Sequence, residues 1–145
     1  MKMSYLSLCL PLLGIVAFTP ESVATTYAGQ ACQSRTVGTA LSYSTTGASN
    51  PSTSTILIAC PATHLNDGGT GPADAVIYFL NDGKTKSCFF DNFNIDTGAL
   101  GVFTSASGTS RLQFPTLNPT LAFQPYAFNC SLPAGSKVTG FYVDE

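Results

Sequence analysis

The chain has 145 residues, six basic and eight acidic side chains, a net charge of −2, five cysteines and no tryptophan. Neither a basic stripe nor a cationic amphipathic segment is present, so nucleic-acid binding and attachment to a membrane surface as a charged helix are both excluded. The length suits one domain rather than two.

In chain order, the first element is a short positive start at Lys2 followed by an apolar run from Leu6 to Phe18. That run has signal-peptide length and is too short to cross a bilayer comfortably. Pro11, Gly14 and Pro20 also oppose a long helix there. Small residues at Ser22 and Ala24 predict cleavage after Ala24, with a second site after Ala28. Residues 1–24 are therefore expected to be a signal peptide and residues 25–145 the mature domain, exported to the periplasm or the medium. After cleavage no segment is expected to insert in a membrane.

The mature sequence has almost no helical period. Short alternating runs of β-branched and aromatic residues are separated by Gly, Pro, Asn and Asp, the pattern of strands and turns. Strands are predicted over Thr36–Ser44, with Val37, Leu41 and Tyr43 on one face, and over Thr53–Cys60, ended by Pro61. Ala75–Leu80 and Thr85–Phe90 flank Asn81-Asp82-Gly83-Lys84, which predicts a β-hairpin because Asp-Gly accepts positive φ. Further strands are predicted over Asp91–Asp96, Leu100–Ser105, Ser110–Phe114, Pro125–Leu132 and Lys137–Val143. In Pro125–Leu132, Tyr126, Phe128, Cys130 and Leu132 point one way while Ala127, Asn129 and Ser131 point the other. The fold class expected is all-β: a single antiparallel β-sandwich of about eight short strands.

Removing the signal takes Cys9 with it and leaves Cys32, Cys60, Cys88 and Cys130. An even count in an exported chain implies two disulfides, and the gaps between these cysteines far exceed the two to four or so residues of zinc-binding pairs. Three pairings are open. Cys32–Cys60 with Cys88–Cys130 is favoured, since it would pin the N-terminal segment and join an early strand to a late one. Cys60-Pro61, the predicted hairpin leading to Cys88, Tyr126-x-x-x-Cys130-x-Leu132-Pro133 and a last strand closing on Glu145 form a pattern over most of the mature chain. It resembles a loose group of small exported bacterial two-disulfide β-domain proteins of unassigned function. The resemblance implies the same kind of fold and location, and no activity.

Asp96-Thr97-Gly98 matches the catalytic triplet of aspartic proteases, which need two aspartates sharing a proton. No second such triplet occurs, so only a homodimer would place two together, and Asp-x-Gly is also a common turn. Asn92, Asn94 and Asp96 alternate as in a calcium loop. However, the EF-hand positions that require Asp, Gly and Glu hold Asn92, Thr97 and Phe103. His64 is the only histidine and no nucleophile elbow accompanies it. The loop containing His64, Asn66, Asp67 and, at its end, Asp74 is the expected binding loop and a second oxygen-rich candidate for a calcium ion. The sequon Asn129-Cys130-Ser131 is discounted because Cys130 belongs to the apolar face. Neither a catalytic residue nor a cofactor is expected. The expected role is recognition or structure at the envelope or outside the cell, with a protein partner or self-assembly through the segment Thr25–Ser34. The alternatives are an inhibitor of an extracellular hydrolase, acting through the loop after Pro61, and the Asp96 homodimeric protease.

Overall fold

The computed structural model describes residues 24–62, 73–93, 100–117 and 125–144. Two antiparallel sheets pack face to face. The first sheet contains β2 (Gln33–Ser34), β5 (Ile56–Ala62), β7 (Lys86–Phe93), β8 (Leu100–Gly108) and β10 (Tyr126–Leu132), in the order β2-β5-β10-β7-β8. The second contains β1 (Ala24–Ala28), β3 (Ser42–Ser44), β4 (Gly47–Ser49), β6 (Ala73–Phe79), β9 (Arg111–Leu117) and β11 (Lys137–Asp144). Its order is β3-β4-β11-β6-β9, with β1 also paired to β11. The only helical element among the described residues is a 3-10 turn at Gly29–Ala31.

The alternation read from the sequence decides which side chains enter the core. Ile56, Ile58, Cys60, Phe90, Tyr126, Phe128, Cys130 and Leu132 from the first sheet are buried, and face Ala75, Ile77, Phe79, Leu112, Phe114, Val138 and Phe141 from the second. Phe128 joins the layers: its ring lies 4.8 Å from Phe90, 5.4 Å from Phe114 and 5.3 Å from Phe141. Offset and edge-on aromatic pairs of this kind fill a core without tryptophan.

Both expected disulfides form, Cys32–Cys60 and Cys88–Cys130. Cys88 and Cys130 are direct cross-strand partners on β7 and β10, while Cys32 ties the segment before β2 onto β5.

Three expectations are corrected. Ala75–Leu80 and Thr85–Phe90 do not form a hairpin. The turn exists, with Gly83 at φ 73°, but β6 pairs with β11 and β9 while β7 pairs with β10 and β8. The chain therefore steps from one sheet to the other: Ala75, Ile77 and Phe79 of β6 and Cys88 and Phe90 of β7 are buried and meet across the core. Secondly, Pro61 does not end β5, which continues to Ala62 with Pro61 opposite Ala127. β2 pairs only with Ala59 and Ile58, so the position lacking an N–H lies on an otherwise unpaired stretch of edge. Thirdly, Thr36–Ser44 is strand only from Ser42. Val37 is 99% exposed and only Leu41 of the three aligned residues is buried. Within the segment Thr25–Ser34, β1 lies along β11 of its own chain, and Tyr27 stacks on Phe141 at 5.0 Å.

Lys86 is fully buried at the sheet-to-sheet step. Its ammonium contacts Asp82 Oδ1, donates to the Thr109 carbonyl at 2.9 Å and lies 5.8 Å from the centre of the Phe79 ring. Asp82 also accepts from the Ser136 hydroxyl and from the Lys84 N–H at 3.0 Å. Burial alone would raise the Asp82 pKa. The hydrogen bonds from Lys86, Ser136 and Lys84 outweigh it and hold the carboxyl well below the usual carboxylate range.

A groove on the outer face of the five-stranded sheet

The residues that β5, β10, β7 and β8 turn away from the core form ordered rows. Leu57, Ser131, Ser87 and Ser107 lie opposite one another, as do Ala59, Asn129, Phe89 and Ser105 in the next row, and Pro61, Ala127, Asp91 and Phe103 in the third. A groove of about 630 Å³ runs over this surface, lined chiefly by Arg35, Leu57, Phe89, Asp91, Phe103 and Asn129.

Its apolar part is solvent-facing. Leu57 is 59% exposed, Phe89 51% and Phe103 56%, and the two rings meet edge-on at 5.9 Å. Three large apolar residues on one otherwise small-residue sheet face are a typical mark of a contact surface. The serine row beside them is internally bonded: Ser107 Oγ donates to Ser87 Oγ at 2.9 Å, and Ser131 Oγ accepts from the Ser87 N–H at 3.2 Å.

The polar part is a relay. Arg35 follows β2 and is aligned by its N–H donating to the Leu57 carbonyl at 2.8 Å, while the Leu57 N–H donates to Thr36 Oγ1 at 2.8 Å. Arg35 Nη1 donates to Asn129 Oδ1 at 3.0 Å, and Asn129 Nδ2 donates to Asp91 Oδ2 at 2.8 Å. Asp91 is only 6% exposed, and its Oδ1 has no hydrogen-bond partner among the described residues. Burial pushes the Asp91 carboxyl above its ordinary pKa; the Asn129 hydrogen bond and the Arg35 charge oppose that shift without cancelling it. Phe103 is the direct cross-strand neighbour of Asp91, so the two parts of the groove are contiguous.

Of the expected binding loop, His64, Asn66 and Asp67 lie outside the described residues, as do Asp96, Asn94, the signal segment up to residue 23 and Glu145. Asp74 is described. It belongs to the other sheet, opposite Asp144, and accepts from Thr116 Oγ1 at 2.6 Å, so it is not part of the groove. Asn92 is not a loop ligand: it is fully buried in β7 and its Oδ1 accepts the Val102 N–H at 2.8 Å. Among the described residues no group of three or more His, Cys, Asp or Glu is arranged to hold a metal ion, and no helix is long and apolar enough to cross a membrane.

Arg35, Phe89 and Asp91 were not singled out by the sequence, Phe103 entered only as an EF-hand position without an acidic residue, and Asn129 only as an outward-facing residue in a discounted sequon. Their signal was nevertheless present: in Thr85–Phe90, alternation puts Cys88 and Phe90 inward and leaves an aromatic residue, Phe89, facing outward. Comparison with protein-family models and with curated proteins returned no match for this chain.

Proposed function

We propose that the chain is an exported, non-catalytic recognition domain of the cell envelope or extracellular space, and that it binds a protein partner through the outer face of the five-stranded sheet. The observation that carries this reading is the exposed Phe89–Phe103 pair set beside the Arg35–Asn129–Asp91 relay. Aromatic and arginine anchors bordered by small polar residues match the composition of protein–protein hot spots. Export is supported by the apolar leader ending near Ala24 and by the two disulfides, which persist in oxidising compartments. Their presence suits a rigid presentation of the face, which lowers the ordering cost of binding.

The test compares retention of envelope and medium components on immobilised wild-type protein and on the double variant Phe89→Ser/Phe103→Ser. Tyr78→Ser, altered on the opposite sheet, is the control. A component held by wild type and by the control but lost from the double variant supports the reading. Equal retention by all three proteins contradicts it.

A further inference from the structure

Among the described residues the sandwich has five edge strands, and they differ in how they are protected. β2 has two residues, β3 three and β1 five, all too short to template a long pairing. β9 has seven, but Arg111 and Pro115 lie within it, a charge and a missing donor of the kind that blunts an edge. β8 has nine residues, Leu100–Gly108, and contains neither a charged residue nor a proline. It pairs with β7 on one side and with no strand on the other among the described residues. Its inward-facing Val102, Thr104 and Ala106 are only half-buried, so the core is incompletely covered along this edge.

We infer that β8 is a self-association edge, on which β8 of a second copy of this chain pairs antiparallel to build a sheet continuous across both molecules. The occupant is argued from the strand itself. An antiparallel edge is its own complement under a twofold rotation, since each strand presents the other with the same donors and acceptors. No like charges oppose each other at the joint, because Leu100–Gly108 has none. A twofold axis near Thr104 sets Val102 opposite Ala106 of the partner subunit, covering apolar surface that is half-open in the single chain. It also sets Phe103 opposite Ser105 of the partner subunit on the outer face, leaving room for the ring. The inference stands on the backbone edge of β8; Phe103 on that strand also lines the groove.

The experiment measures native mass by light scattering and sedimentation of the secreted chain from micromolar to millimolar concentration, for wild type and for Ser105→Lys. Ser105 is exposed on the outer face, so the lysine adds charge at the joint without entering the core. Thermal melting checks that the variant folds. Hydrogen exchange of the wild type at low and high concentration locates the contact. The expected result is a concentration-dependent dimer whose dissociation constant rises about tenfold or more in Ser105→Lys, together with slowed exchange confined to Gly101–Ser107 on association. A monomer throughout overturns the inference. So does a dimer whose affinity is unchanged by Ser105→Lys and whose protection lies outside β8. The edge reading fails on native mass and exchange, whereas the groove reading fails on retention of envelope and medium components, so the two failures are distinguishable.

Discussion

Asn129 on β10 donates to Asp91 on β7 over 2.8 Å, a diagonal contact across two neighbouring strands that fixes both side chains on the outer face of their sheet. Arg35 completes the line from the far side of β5. The polar half of the groove is therefore preorganised: the free strands already hold the donors and acceptors in place, so a partner encounters a set geometry rather than loose side chains.

Removal of the Asp91 charge has a direction fixed by burial. Its folded pKa lies above the unfolded value, so its contribution to stability is fully present below about pH 3.9 and is lost as pH rises through the folded value. Asp91→Asn is therefore expected to equal or exceed wild type in stability at pH 7 and to lose that advantage below pH 3. Denaturant melts at both values check the sign.

Asp82 behaves oppositely. Its folded pKa is depressed, so its contribution is present above the unfolded value of about 3.9 and is lost as pH falls through the folded value. Asp82→Asn should flatten the acid limb of the stability profile and leave its shape near neutral pH unaltered.

Lys86→Met removes the partner of Asp82 and is expected to destabilise by about 3 kcal/mol, the low end for breaking a buried pair, because Asp82 faces water and can rehydrate. Combining it with Asp82→Asn should cost less than the two single changes added together. A double-mutant cycle in urea measures that coupling.

Two glycines rest on the same carbonyl. A Cβ at Gly47, which has φ 131°, would lie 2.0 Å from the Val138 oxygen, and one at Gly29 would lie 2.4 Å from it. Gly47→Ala combines a left-handed strain with a backbone clash and should cost about 3 kcal/mol or more, whereas Gly29→Ala carries the clash alone and should cost about 1–3 kcal/mol. Thermal denaturation of both variants should rank them in that order.

Loss of either disulfide, by paired Cys→Ser changes, is expected to cost about 3.5–4 kcal/mol in the chain-entropy account, for loops separated by 28 and 42 positions. The two double variants should thus be similarly unstable, and their denaturation midpoints test this.

Much of the architecture was legible because period-2 alternation and cysteine parity act locally. Tyr126 to Leu132 reads as one inward and one outward face, and that is how β10 is built. The false hairpin shows where such reading stops. Asp82-Gly83 specifies a turn conformation, but whether the flanking strands pair or part depends on both having core-directed faces, which is a tertiary fact. Lys86 was illegible for a related reason: a lysine at an inward position is normally a sign of misregister, and only the placement of Asp82, Thr109 and Phe79 around it makes its burial tenable. The groove was illegible because its residues come from five separate segments that only strand pairing brings together. Phe89 and Leu57, large apolar residues left outward on alternating strands, were the local clues.

The measurement that tests the central claim most directly is in-cell photo-crosslinking, with benzoylphenylalanine placed at position 89 or, for comparison, at position 78 on the opposite sheet. Phe89 and Tyr78 are both aromatic, exposed and on regular strands, so the substitution is mild at either place. Light-dependent adducts of a discrete protein from position 89 and none from position 78 are the predicted result. Adducts from position 78 alone, or equal and diffuse labelling from both, would contradict the assignment of the five-stranded sheet's outer face as the recognition surface.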